Sequence, residues 1–345
     1  MDDVPFFSDE FLNEYELPIG DWAESAINWL ATQLTWLWDL IIAPVNWLLG
    51  LVIEDILLGV SWFVVVLAFL AIGWARRGLK VGLGAAVGLV VCGLLGNDFW
   101  EETMETLGMI IVAVMICVVI GLPLGILAAR SEVANAIIRP VLDAMQTIHP
   151  FVYLLPIVFL FGTGRTPGVL ATIIFAMPPI VRLTNLGIRS VPSDVVEAGK
   201  AFGGSGRQLL RDVQLPLARP SIMAGLNQTL MLALSMVVIV ALIAGPGLGR
   251  LILRGVNTAN IPLAVTSGLA VLILAVVLDR ISTVSDNDVE PGIRSSLRRI
   301  FGVFGRRRDS LEVEALASVN AATQSGTDAA SVDEHLASEI GASRT

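Results

Sequence analysis

From Ile110 to Leu122 the chain runs through thirteen consecutive apolar residues. A run of this kind has no solvated face, so it is neither a half-buried strand nor an amphipathic surface helix. Several other stretches approach the ~20 apolar residues that carry a helix across a bilayer. A membrane β-barrel is excluded, because its ~10-residue strands alternate polar and apolar positions. Only 15% of the residues are charged and the mean hydropathy is +0.77, whereas soluble domains carry roughly 25% charged residues. The fold class that follows is all-α, a polytopic helical membrane protein.

The apolar pattern predicts seven spans, over 57–75, 79–96, 103–129, 150–162, 168–187, 222–244 and 261–279. The fourth is short, with Pro150 and Pro156 inside it and Gly162-Thr163-Gly164 at its end. Such interrupted helices are tolerated where neighbours or a cavity satisfy the freed backbone groups. Residues 36–54 are apolar enough to span, but Asp39, Pro44 and Asn46 interrupt them and Trp36, Trp38 and Trp47 crowd them. Since Trp favours the headgroup boundary, this segment reads as an interfacial or re-entrant helix. Four regions result: an acidic tail with the Trp-rich segment (1–56), two accessory helices (57–96), a five-helix core (97–284), and a basic cluster followed by a disordered tail (285–345).

The net charge of −9 conceals an uneven distribution: residues 1–35 contribute −8 and 309–345 contribute −6, so 36–308 stand at +5. With an odd span count, 18 of the 21 Lys and Arg in 36–308 fall on one side, and only Arg165, Arg250 and Arg254 fall on the other. The crowded side is expected to be cytoplasmic, which leaves the N-terminus outside and the C-terminus inside a cell membrane. Acidic residues open the chain where a secretory signal would carry a basic region. Arg294, Arg298, Arg299 and Arg306 to Arg308 mark the cytoplasmic side or meet anionic lipid. Nothing in this distribution calls for a nucleic-acid partner. Cys92 and Cys117 lie singly in apolar runs and read as packing residues, and no metal-ligand cluster or nucleophile constellation appears.

The stretch 189–220 is too polar to span and long for a connection. Ser193 or Asp194 can cap a helix containing Val195, Val196, Ala198 and Phe202. Gly203, Gly204 and Gly206 permit a reversal, and Gln208 to Val213 can form a second helix stopped by Pro216. Within it, Glu197-Ala198-Gly199 is followed by Gly203 and, nine residues later, by Val213-Gln214-Leu215-Pro216.

This spacing resembles the coupling loop of ABC importer permeases, with Gly199 and Val213 as mild departures from the family's Ala and Ile. Asp143 to Thr147, Phe151 to Leu154, Pro178-Pro179, Gln214 to Leu217 and Ile222 to Met236 resemble the glycine betaine/proline betaine branch. The similarity covers about 100–280. One departure is His149-Pro150, where the proline has moved by one place, so the family's local bend at the start of the fourth span does not carry over.

The resemblance implies a subunit that is not itself an enzyme. The chain has no G-x-x-x-x-G-K-[ST] phosphate loop, so ATP and Mg would belong to a separate cytoplasmic ATPase, expected in two copies, and this chain would bind no cofactor. A second permease copy and an extracytoplasmic solute-binding protein are implied as well. Glu197, Ala198, Gly199, Gly203, Val213, Leu215 and Pro216 would form the coupling loop. In the pathway, Asn227, Met231 and Ser235 are spaced by four on one helix face, with Tyr153 a further candidate. Arg182 lies near a span end, where it can snorkel to the headgroups. His149 reads as structural. Choline, carnitine, proline or another amino acid are alternative cargoes. An ion-coupled transporter, which would place ionisable groups at mid-membrane, and a membrane scaffold fit the sequence less well.

Overall fold

The computed structural model describes residues 19–241 and 245–282, and every regular element among them is a helix. The first 18 residues of the acidic tail and the basic cluster and tail at 285–345 lie outside the described residues.

Helix α1 (Ile19–Gln33) is followed by α2 (Thr35–Leu58), which is α-helical to Leu49 and π-helical from Gly50. At 24 residues, α2 is long and apolar enough to cross a membrane. It also absorbs residues 57 and 58, where the sequence places the start of the first span. That boundary falls instead at Ser61, whose extended ψ of 137° separates α2 from α3 (Trp62–Arg77). Helix α4 (Leu79–Leu94) returns beside α3 after Gly78. Each has 16 residues, about 24 Å of helix against the ~30 Å of a hydrocarbon core. The two cross closely, because a Cβ on Gly73 would sit 2.8 Å from the Cα of Gly82.

Helix α5 (Phe99–Arg130) is the longest, at 32 residues. It is followed by α6 (Glu132–Thr147) and α7 (Pro150–Phe161), two pieces of one path bent by 95°. The 12-residue α7 is too short to cross alone. Helix α6, which the apolar pattern places among the connections, extends the same path. Its polar residues, Glu132, Asn135, Arg139 and Asp143, break the apolar run by which spans were recognised. The bend follows from the displaced proline: Pro150 opens α7, and His149 caps it through Nδ1, which accepts the Phe151 N–H at 3.4 Å. The His149 ring stacks on that of Phe151.

Helix α8 (Arg165–Arg189) is the buried centre of the bundle, packed between α5 and α11 (Leu215–Ala241). On α5, Gly121 and Gly125 receive Ile180 and Thr184 of α8, the small-residue spacing that lets helix backbones approach in a membrane. Gly225 of α11 meets the backbone of α8 at Pro179 and Ile180. Helices α12 (Leu248–Asn257) and α13 (Ile261–Ser282) close the chain, and α13 lies against α4. Four described helices, α2, α5, α8 and α13, are long and apolar enough to cross a membrane, or five when the bent α6–α7 pair is counted as one span. Helix α11 adds 27 residues up to the edge of the described region.

Candidate functional site

Between α8 and α11 the chain forms a helical hairpin at one end of the bundle. Its first arm is α9 (Ser193–Ala201) and its second is α10 (Gly206–Gln208), which passes through π-helical Leu209–Gln214 into α11. The first arm begins behind Pro192 without a side-chain cap; Ser193 and Asp194 hydrogen-bond each other instead. The reversal is a left-handed cap. Gly203 has φ of +80°, and the N–H groups of Phe202, Gly203 and Gly204 return to carbonyls of the first arm. A residue with a Cβ is strained there. A capping box between Ser205 and Gln208 starts the second arm.

Gly199, the departure from the expected Ala, has a packing reason. A Cβ there would lie 2.6 Å from a methyl of Leu209, the one buried residue of the hairpin arms. The two arms therefore close on each other through Gly199 and Leu209. Pro216 does not stop the second arm. The helix continues through it, with Pro216 in the first turn of α11 directly after the wider π-helical stretch. A proline at the start of a regular segment lacks only a donor that the preceding π-helical turn leaves out of register.

The rest of the hairpin faces outward. Glu197 and Ala198 are exposed, Val213 and Leu215 half-buried, and Glu197 has no hydrogen-bond partner among the described residues. Phe202, at the tip, is 93% exposed, and Val195 on the first arm is exposed as well. Phe202, expected within the first helix of the loop, stands at its C-cap.

The proposed pathway residues do not share one environment. Asn227 accepts a hydrogen bond from Ser282 Oγ at 2.9 Å and so ties α11 to α13. Ser235 is exposed, and its hydroxyl donates to the Met231 carbonyl. Gln228, which the sequence reading passed over, is exposed two turns from Ser235 on the same stripe as Leu217 and Ala224. Tyr153 lies on α7 beside a cluster that includes Met236 and Val240, and its buried hydroxyl has no partner among the described residues.

Polar rungs join α6 to α8 near the hairpin end. Arg182 pairs with Asp143 rather than extending to headgroups, Asn185 donates to Asn135, and Arg189 holds Glu132 and the Ala128 carbonyl.

At the opposite end, α5 carries two buried carboxylates. Glu102, only 6% exposed, accepts the Gly247 N–H at 2.7 Å and pairs with Arg250. One turn along, the Thr106 hydroxyl accepts the Leu248 N–H at 2.8 Å. Side chains of α5 thus supply the cap that α12 lacks in its own sequence. Glu105 pairs with Arg165 of α8, and Arg165 also reaches Glu54 of α2 at 2.7 Å. Two of the three cations that the charge count left on the sparse side are therefore held in place by buried carboxylates. In sequence these residues show only as an i, i+3 acidic pair opening an apolar helix, with nothing local to name their partners.

Residues 121–292 match the family described as binding-protein-dependent transport system inner membrane component. The glycine betaine/proline betaine transport system permease protein ProW of Escherichia coli is 48% identical over 272 residues, covering 79% of this chain and 76% of that protein. The glycine betaine transport system permease protein OpuAB of Bacillus subtilis is 39% identical, covering 77% of this chain and 93% of its own. The glycine betaine/carnitine transport permease protein GbuB of Listeria monocytogenes is 40% identical, over 77% of this chain and 94% of that one. Given these likenesses and a helical bundle bearing the interrupted 193–214 hairpin, the chain belongs to the binding-protein-dependent transport inner membrane family, the permease subunits of ABC importers.

Proposed function

We propose that this permease imports glycine betaine or a closely related compatible solute, with ATP hydrolysed by a separate ATPase that docks on the 193–214 hairpin. The observation that carries the docking half is Phe202, an aromatic ring left 93% exposed at the tip of a rigidly capped hairpin. Buried aromatics anchor protein interfaces, and a ring held in water by its own fold calls for a partner's pocket. The cargo half rests on relatives whose names carry glycine betaine, among them one 48% identical. Carnitine is the second reading, supported by the 40% identical glycine betaine/carnitine permease. A solute-binding protein outside the cell, a second permease copy and two ATPase copies complete the assembly.

The hairpin end, with most of the basic residues, faces the cytoplasm. Contacts of α2 support an external N-terminus. Trp38 packs on Phe161, Asn46 accepts from Thr166, and Glu54 reaches Arg165. Sixteen helical residues, about 24 Å of helix, thus touch side chains drawn from one narrow layer at the outer ends of α7 and α8. A helix crossing the bilayer would meet successive depths. Helix α2 therefore lies across the outer end of the bundle, with Trp36 and Trp47 exposed at the headgroup level.

The pathway runs along the exposed stripe of α11, where Gln228 and Ser235 offer hydrogen-bonding and the half-buried Met231 a soft apolar contact; Tyr153 contributes from α7. The test is ATP-driven uptake of labelled glycine betaine into vesicles holding the permease, its ATPase and its binding protein. Glu197→Ala and Gly203→Asp are expected to abolish uptake while the permease remains folded. Uptake without the ATPase would sink the proposal, and stimulation by carnitine alone would replace the cargo.

A further inference from the structure

The hairpin touches the bundle at a point outside the family motif. Arg130, the last residue of α5, donates from its guanidinium to the carbonyl of Gly206 at 3.0 Å. Gly206 opens the second arm, and its carbonyl also accepts the Leu209 N–H. A Cβ at 206 would lie 3.1 Å from the Arg130 nitrogen, so the glycine leaves the space that the guanidinium occupies. The same helix that ends in Arg130 packs along α8 through Gly121 and Gly125 and, at its far end, caps α12 through Glu102 and Thr106. One helix of 32 residues, about 48 Å, thus joins the hairpin to the opposite end without passing through α8 or α11.

We infer that Arg130 is a positioning residue for coupling: it fastens the ATPase-docking hairpin to α5, and α5 carries the hairpin's displacement to the Glu102–Arg250–α12 assembly at the outer end. The covalent connections of the hairpin, into α8 and α11, move the centre of the bundle. Without Arg130, α5 follows through α8, by side-chain packing and the Arg189–Ala128 hydrogen bond, and the outer end loses its direct link to the hairpin. Arginine suits the role because its planar head donates in a fixed direction to a backbone carbonyl.

Vesicles with ATPase and binding protein yield two quantities, labelled glycine betaine accumulated and ATP hydrolysed, whose ratio measures coupling. Arg130→Ala is expected to lower the ratio about tenfold, the order lost with one hydrogen bond from a charged donor. ATPase co-purification and the thermal unfolding midpoint should stay at wild-type levels. Arg130→Lys, which keeps a donor on a flexible stem, should recover part of the ratio. Gly206→Ala should lower the ratio in the wild-type background and change nothing in Arg130→Ala. A wild-type ratio in Arg130→Ala overturns the inference. So does a parallel fall in uptake and hydrolysis, or a lowered unfolding midpoint that lysine does not restore. The inference rests on the hairpin being the ATPase dock, which Phe202→Asp tests separately. If the ATPase still co-purifies with that variant, the docking reading is wrong. If it is lost there while Arg130→Ala couples normally, only the role of Arg130 falls.

Discussion

Helix α5 ends in two opposite electrostatic settings. At its outer end Glu102 and Glu105 are buried and every oxygen contact is made within the chain, to Arg250, Gly247 and Arg165. At its inner end lies a hairpin whose Glu197 has no partner among the described residues and whose Phe202 is in open solvent. Satisfied buried charges make a region rigid and self-contained; exposed aromatic and charged groups on a capped turn leave a region to be completed from outside. The outer end is thus read as structure and the inner end as interface.

The largest effect that can break this comparison is at the outer end. Glu102→Ala removes both the cap of α12 and the partner of Arg250. It should destabilise the protein by about 3 kcal/mol, measured as a lowered unfolding midpoint in detergent with the ATPase still co-purifying. Loss of ATPase binding with an unchanged midpoint would reverse the roles assigned to the two ends. Next in size, Phe202→Ala should weaken ATPase binding by about 2 kcal/mol, roughly thirtyfold, at an unchanged midpoint. A lowered midpoint would make Phe202 part of the core. The smallest effect sharpens the picture of the outer end. Ala259 adopts φ of +52° after α12, where its N–H bonds the Val256 carbonyl. Ala259→Gly should stabilise the protein by about 1 kcal/mol, read as a raised midpoint, and a fall would mean that the Ala259 methyl makes a contact worth more than the strain.

What could be read from the sequence divides along the same line. The hairpin was legible because its glycines, proline and Glu-Ala pair stand at fixed spacing in a polar stretch between apolar runs. Helices α5, α8 and α13 were legible as apolar runs. The outer assembly was not, since its contacts join residues up to 148 positions apart, and no local pattern announces that Glu102 caps a helix beginning at Leu248. Helix α6 was lost for a related reason: its polar rungs serve α8, yet in sequence they resemble a solvated loop. The stripe on α11 was half legible. A spacing of four put Asn227, Met231 and Ser235 together, but only the position of α13 decides that Asn227 belongs to Ser282 while Gln228 stays free to face outward.

The unbroken passage from Gly206 through Pro216 into α11 has a geometric consequence. Ser235 stands roughly 40 Å along that rod from Gly206, so a rotation of the rod about its hairpin end is magnified at the exposed stripe. A tilt of about one degree at the hairpin displaces Ser235 by ~0.7 Å when the rod does not flex. Several degrees then move the exposed stripe by angstroms, with no helix in the bundle required to unwind.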